Sequence, residues 1–170
     1  LTHQNRIPIC TGMERLSSYT EYVERFGFAP GTKEKAFAWL EASEQQKADF
    51  GYDPKVVGVL KRIRTANCEP LMYSEDIMPK VILGPEFSLE RLGESLFKYL
   101  ESVDVKLAYS ELVLTAIVAC GEMAEKLEVK LGAPLLDIEE KYFGQDGDVV
   151  LWSRNIYRVD RWVFKMFRTI

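Results

Sequence analysis

The chain has 170 residues, of which 47% are hydrophobic and 28% are charged. This length and composition suit a folded chain with one sizeable core and exclude intrinsic disorder. A net charge of -4 disfavours direct binding to nucleic acid or to an anionic membrane, because both depend on clustered lysine and arginine. The longest apolar run, residues 112–120, is too short to span a bilayer, which needs about 20 residues.

Histidine and cysteine usage narrows the possible chemistry. His3 is the only histidine, so the sequence disfavours a histidine-based metal site and a Ser-His-Asp or Cys-His nucleophile pair. Cys10, Cys68 and Cys120 form no Cys-x-x-Cys pair and suit a reducing cytoplasm. We expect buried free thiols, and we predict no catalytic residue, no metal site and no cofactor.

The start of the chain bears on its organisation. The chain begins at Leu1 rather than Met, and residues 1–12 form a leader without a charged-then-apolar signal segment. We therefore expect a piece of a longer protein, in which residues 1–170 form a single domain.

Helix and strand signals alternate in the first half. Ser18-x-x-Glu21 and Ser43-x-x-Gln46 are capping boxes, which predict that a helix begins at each serine. Residues 33–42, between them, alternate as a strand does.

Hairpin signals dominate the remainder. Strands are predicted over 56–66, 71–78, 103–114, 135–143, 149–159 and 162–167, with turns at 67–70 and 145–148 and helices from 88 to 100 and from 116 to 127. Strands in hairpins interrupted by helices predict an α+β fold with a mainly antiparallel sheet.

Two arginines share one face of a predicted strand. Arg62 and Arg64 are two residues apart, so both side chains lie on the same side of the sheet, about 7 Å apart. They repel each other unless an anion or a carboxylate lies between them, and guanidinium groups suit phosphate and carboxylate oxygens. The pair is therefore a candidate anion site; the alternative is that the arginines form ion pairs with Glu75, Asp76 or other surface acids.

The predicted first helix offers a second anion-attracting element. Its opening, from Ser17 to Thr20, brings hydroxyls, free backbone N–H groups and the positive end of the helix dipole. Simple capping by Ser18 is the alternative explanation.

Several motifs follow one another along nearly the whole chain. They are LSSYTE at 16–21, FGFAPGT at 26–32, LKRIRTANCEP at 60–70, GAPLLDIE at 132–139 and YRVDRWVF at 157–164. Together they resemble the UTRA domain, the effector-binding domain of HutC-subfamily GntR transcription regulators.

The resemblance implies a fold and partners. It implies a chorismate-lyase-like fold, with an antiparallel sheet flanked by helices, paired as a homodimer. It implies a cleft for a small anionic metabolite effector, such as a phosphosugar or an amino-acid derivative. DNA would be bound only through a winged helix-turn-helix domain that would precede Leu1 and is absent from this chain.

The resemblance also implies site residues. In sugar-phosphate-sensing members, the phosphate lies between a helix start and an Arg-x-Arg strand, the two elements that the residues themselves select here. A serine on a later strand would complete that end of the site. The predicted effector-binding residues are Ser17, Ser18, Tyr19, Arg62, Arg64, Ser74, Ser110 and Tyr157.

The chain departs from the family pattern at two positions. Ser74 and Leu151 stand where sugar-binding members often carry glutamates, and Glu75 would point to the opposite strand face. We therefore expect an anionic effector whose far end is less polar than an amino sugar.

Three functions follow, from different classes. The first is an effector-sensing and dimerisation domain of a bacterial transcriptional repressor in the cytoplasm, which is not an enzyme. The second is a chorismate-lyase-like enzyme that holds a dicarboxylate with its arginines, although no matching acid–arginine pattern is present. The third is a ligand-free dimerisation module.

Overall fold

The computed structural model describes residues 9–13 and 15–166. In this part of the chain the strands are β1 (Ile9–Gly12), β2 (Pro30–Glu41), β3 (Val56–Ala66), β4 (Glu69–Pro79), β5 (Leu107–Val118), β6 (Pro134–Gly144), β7 (Val149–Arg158) and β8 (Trp162–Lys165). The helices are α1 (Tyr19–Arg25), α2 (Glu44–Phe50), α3 (Lys80–Leu83), α4 (Leu89–Leu92), α5 (Leu96–Ser102) and α6 (Gly121–Lys126).

Six of the strands form one antiparallel sheet in the order β2-β3-β4-β7-β6-β5. Strands β1 and β8 pair in parallel as a separate small sheet. The helices flank the large sheet. The predicted α+β class and the mainly antiparallel, chorismate-lyase-like architecture are confirmed.

Both capping boxes are present as predicted. The Ser18 hydroxyl accepts from the Glu21 amide, and the Glu21 carboxylate accepts from the Ser18 amide, so α1 begins at the next residue. Ser43 and Gln46 make the same reciprocal pair at α2.

The first hairpin turn is tighter than the sequence suggested. Asn67 and Cys68 both have positive φ, 48° and 67°, which is the geometry of a two-residue turn. Strand β4 therefore begins at Glu69, two residues earlier than predicted. The second predicted hairpin, around Gly147 (φ 85°), joins β6 and β7 as expected.

The predicted helix from residue 88 to residue 100 is wrong, because the segment is two short helices. Gly93 ends α4 with φ 59° and ψ -140°, a conformation that no helix contains. Ser95 then caps α5 by accepting from the Lys98 amide. Helix α3 was not predicted.

The boundary between β5 and α6 also differs from the prediction. The strand continues to Val118 because its whole length pairs with β6, as far as the pairing of Val118 with Pro134. The helix predicted from residue 116 begins only at Gly121.

The large sheet carries apolar cores on both faces. On one face, Leu60, Met78 and Leu151 pack beneath α3, α4 and α5. On the other face, Ile63 and Ile156 pack against α6. The central strands β3 and β4 are therefore buried on both faces of the sheet.

The N-terminal segment is held against the sheet. Ile9 and Trp162, which pair in the small sheet, are both buried, and the Tyr22 hydroxyl donates to the Gly12 carbonyl at 3.0 Å. Residues 9–12 of the predicted leader are thus part of the fold. His3, and Phe167 at the end of the last predicted strand, lie outside the described residues.

The expectation of buried thiols is wrong for two cysteines. Cys68 lies at the tip of the β3–β4 turn and Cys120 precedes α6, and both are exposed free thiols. The side chain of Cys10 is outside the described part. Across residues 9–13 and 15–166, none of the helices has the length and apolarity needed to cross a membrane.

The buried face of β7 supplies a stability test. Leu151 is fully buried, so Leu151→Ala should lower the free energy of unfolding by about 2–5 kcal/mol through lost transfer energy and a residual cavity. Leu131 is 75% exposed, and Leu131→Ala should change it by less than about 0.5 kcal/mol. Urea denaturation measures both, and equal losses would contradict this description of the core.

Candidate functional site

A cavity opens between the first helix and one face of the large sheet. Its volume is about 120 Å³, similar to cavities of about 150 Å³ that take a benzene-sized molecule. Its walls come from the segment before α1, from α1, from the start of α5 and from strands β3 to β7. Of the predicted site residues, the cavity is lined by Ser17, Ser18, Tyr19, Arg62, Arg64, Ser110 and Tyr157.

Arg64 joins the sheet to the first helix. Its guanidinium donates to the Thr20 hydroxyl at 3.1 Å, to the Thr32 hydroxyl at 3.0 Å and to the Glu94 carbonyl at 2.8 Å. It also lies over the Tyr19 ring, 4.8 Å from the centroid. The helix start and the arginine strand are therefore in direct contact.

The charge of Arg64 is poorly compensated. Arg64 is only 1% exposed. The nearest carboxylate, on the half-exposed Glu94 side chain, lies 3.6 Å from the Arg64 guanidinium. Burial, followed by repulsion from Arg62, lowers the pKa of Arg64 from 12.5 to about 10. An added negative charge at this position would relieve that penalty.

Arg62 is held by a buried ion pair. Its guanidinium donates to Asp76 at 2.7 Å, and the Ser153 hydroxyl donates to the other Asp76 oxygen at 2.6 Å. Both members of the ion pair are buried. The alternative of an ion pair with Asp76 is thus realised, but on the cavity wall instead of the protein surface.

Unsatisfied polar atoms concentrate beside this cavity. In the part of the chain that the structure describes, four buried side-chain polar atoms have no hydrogen-bond partner: Tyr19 Oη, Arg62 Nε, Arg64 Nε and Ser74 Oγ. Buried polar groups are normally hydrogen-bonded, because leaving one unpaired costs about 1–3 kcal/mol. Three of the four are donors on residues that line the cavity, so unpaired donors are concentrated there.

The opening of α1 offers fewer free hydrogen-bonding groups to the cavity than its four residues suggest. The capping box occupies the Ser18 hydroxyl and amide, so capping explains Ser18. The Thr20 hydroxyl is committed to Arg64 and to the Glu94 carbonyl. Burial raises the pKa of the Tyr19 phenol, so this residue is a neutral donor.

Ser74 and Leu151, the departures from the family pattern, lie outside the cavity lining. Ser74 is almost fully buried between Arg62 on β3 and Asn155 on β7. Glu75 faces the other side, where it accepts from the Tyr73 hydroxyl and pairs with Lys61. Leu151 belongs to the core under the helices.

Ser110 lies away from the arginines. It is on β5, four strands from β3, and its hydroxyl lies by the Glu140 carboxylate, where it favours the charged form. It therefore does not complete the arginine end as predicted. The serine near that end is Ser95, which lines the cavity directly after Glu94.

The cavity also contains acidic side chains. Asp76 and Glu140 both line the cavity, and neither was predicted as a site residue. The alternation of β6 contains a signal for Glu140, because a period of two places it on the same face as Ile138 and Tyr142, which also line the cavity. The alternation does not indicate which face of the sheet borders the cavity, since helices pack on both faces.

The Arg62–Asp76 pair predicts a stability effect. Asp76→Asn leaves a buried guanidinium without its counter-charge and should lower the free energy of unfolding by about 3–5 kcal/mol. Asp53→Asn is the matched control, because its ion pairs, with Lys55 and Lys47, lie at the surface, and the change should leave stability nearly unchanged.

A double variant completes this test. Arg62→Met combined with Asp76→Leu removes both charges together and should recover most of the loss, as buried pairs exchanged for apolar residues often do. Thermal and urea unfolding measure all variants. If the double variant lost as much unfolding free energy as the two single changes added together, the two charges would not depend on each other.

Comparisons of sequence identify relatives. The family model of the UTRA domain matches residues 25–162. The HTH-type transcriptional repressor NagR of Bacillus subtilis (strain 168) is 27% identical over 156 residues, which cover 89% of this chain and 63% of that protein. The chain thus spans less than two thirds of the length of this relative.

Comparisons of structure agree on the fold. PhnF from Mycobacterium smegmatis has a TM-score of 0.86 at 20% identity, covering 96% of this chain and 73% of its own. The separate effector domain of PhnF has a TM-score of 0.79 at 21% identity, covering 90% and 95%. A GntR-family transcriptional regulator from Enterococcus faecalis V583 has a TM-score of 0.70 at 21% identity, covering 82% and 100%. Because the family model spans most of the sequence, as its motifs predicted, the chain belongs to the UTRA domain family.

Proposed function

We propose that this chain is the effector-sensing domain of a bacterial transcription repressor, and that its effector is a small anionic metabolite. A separate N-terminal domain would bind DNA, and the sensing domain would form a homodimer in the cytoplasm. The name of the Bacillus subtilis relative, a transcriptional repressor, supports the regulatory part. The effector domain of PhnF supports a sensing role for this fold.

One observation supports the proposal that the effector is anionic. The Nε atoms of Arg62 and Arg64 are buried without an acceptor, and both residues line the same cavity. A phosphate or carboxylate offers several acceptor oxygens and a charge that suits guanidinium groups. An anion in this cavity would supply acceptor oxygens to the two arginines and compensate the Arg64 charge.

The hydroxyl groups near the arginines define the rest of the anion site. The Tyr19 hydroxyl is buried and has no partner among the described residues. Ser17 and Ser95 line the same end of the cavity. Neutral donors next to two cations are the composition expected of a phosphate or carboxylate site.

The position of the cavity suggests how binding would reach a DNA-binding domain. Gly12, Met13 and Arg15 form part of its wall and lead into α1. Effector binding would thereby favour one arrangement of the segment that follows a preceding domain. The effector shifts the DNA-binding equilibrium only as far as its affinity differs between the two arrangements.

A second copy of the chain would pair through an exposed sheet edge. Strand β5 has 12 residues, pairs on one side only and exposes Tyr109, Val113 and Val118. An uncovered apolar edge strand of this length favours association. The homodimer would connect two sensing domains to two half-sites on DNA.

Inorganic phosphate tests the anion site directly. At 100 times its dissociation constant, phosphate should stabilise the domain by about 2.7 kcal/mol in a thermal-shift measurement. Arg62→Ala and Arg64→Ala should each weaken phosphate binding about 10- to 150-fold, because each removes a charge-assisted hydrogen bond.

The control for this test comes from the same strand. Lys61 is half exposed on the opposite face, where it pairs with Glu75, so Lys61→Ala should bind phosphate as the wild type does. Circular dichroism without phosphate establishes that each variant is folded. Unchanged phosphate affinity in the folded Arg62→Ala, Arg64→Ala double variant would refute the proposed site.

A further inference from the structure

One acid on the cavity wall differs from the other two in having no cationic partner among the described residues. Among the described residues, that wall includes three arginines and three acids: Arg15, Arg62, Arg64, Asp76, Glu94 and Glu140. Asp76 pairs with Arg62, and Glu94 lies 3.6 Å from Arg64. Glu140 is the remaining acid, and the described residues provide it with no ion pair.

Glu140 is a buried carboxylate with two neutral donors. It is 9% exposed, and the Tyr142 hydroxyl donates to it at 2.6 Å. The Ser110 hydroxyl lies on its other side. Burial raises the pKa of this carboxyl, and the charge of Asp76 adds to that shift. The carboxylate therefore lacks a positive partner where one would stabilise it most.

Apolar side chains border this acid beside the two hydroxyl groups. Leu112, which pairs with Glu140 across the two strands, and Ile138, two residues earlier on the same face, both line the cavity. Low polarity strengthens any ion pair formed there and makes a lone charge costly. A neutral ligand group would leave that cost in place, whereas a cationic donor would remove it.

The acid and the arginines are far enough apart to contact opposite ends of one small molecule. Glu140 is on β6 and the arginines are on β3, three strands away in the sheet. Strands lie about 4.8 Å apart, so the two backbones are about 14 Å apart and the side chains extend toward the same cavity.

We infer that Glu140 is a specificity residue that binds a protonated amino group of the effector. The effector would then be zwitterionic, with its anionic group at Arg62 and Arg64 and its ammonium group at the Glu140 carboxylate. The inference rests on the proposed anion site. It replaces the sequence-based expectation of a less polar far end, because Glu140 supplies a carboxylate that positions 74 and 151 lack.

Matched synthetic phosphates test this inference. The probes are ω-aminoalkyl phosphates of increasing chain length, with ω-hydroxyalkyl and plain alkyl phosphates of the same lengths. Calorimetry or thermal shift gives each affinity for the wild type, for Glu140→Gln and for Glu139→Gln. Glu139 is the exposed neighbour on the opposite strand face, so its variant makes the same charge change outside the cavity.

The expected result is a preference that depends on one side chain. At its best chain length, the aminoalkyl phosphate should bind the wild type at least about tenfold more tightly than the alkyl phosphate. Glu140→Gln should abolish that preference and leave alkyl phosphate affinity unchanged, whereas Glu139→Gln should keep the preference.

Two other results would overturn the inference, and they can be told apart. If alkyl and aminoalkyl phosphates bind the wild type equally, or the preference survives in Glu140→Gln, the anion site stands and the role of Glu140 is wrong. If neither inorganic phosphate nor any alkyl phosphate binds, the anion site itself fails, and the inference fails with it.

Discussion

Two arginine side chains buried on one strand determine the character of this domain. Arg62 and Arg64 both extend into a cavity closed by the first helix, and each keeps its Nε without a partner. Burying charge in this way costs free energy unless the charge is paired and hydrogen-bonded. Asp76 compensates Arg62, while Arg64 relies on hydroxyl and carbonyl oxygens and on the Tyr19 ring. The fold thus maintains a positive site that an anion would complete.

The same contacts connect that site to the first helix. Arg64 is bonded to Thr20 in the first helix, and the segment before this helix both lines the cavity and pairs with the last strand. In the proposed function, a ligand that neutralises Arg64 would therefore act on the first helix and on the segment before it. Across the cavity, Glu140 introduces a charge of opposite sign. In our proposal, Glu140 and the arginines together would set both the orientation and the class of the effector.

Local sequence patterns predicted local structure well, but they did not predict how distant segments come together. The period of two along β3 was enough to put Arg62 and Arg64 on one face, and Ser18 was recognised as a cap from its spacing to Glu21. The break at Gly93 was not predicted, because leucines at helical spacing continue across it. The position of Ser110 depends on strand order, which local spacing does not encode. Glu140 was not predicted because alternation alone does not show which face of its strand borders the cavity; the packing of the helices decides that.

The most direct test observes the arginine Nε–H groups themselves by nuclear magnetic resonance. On titration with inorganic phosphate, the Nε–H signals of Arg62 and Arg64 should shift together and saturate with a single dissociation constant. The signals of Arg154 and Arg158 should stay in place, because their Nε atoms already donate to carboxylates. Shifts spread equally over all four arginines, or none at Arg62 and Arg64 up to high phosphate concentration, would contradict a buried anion site.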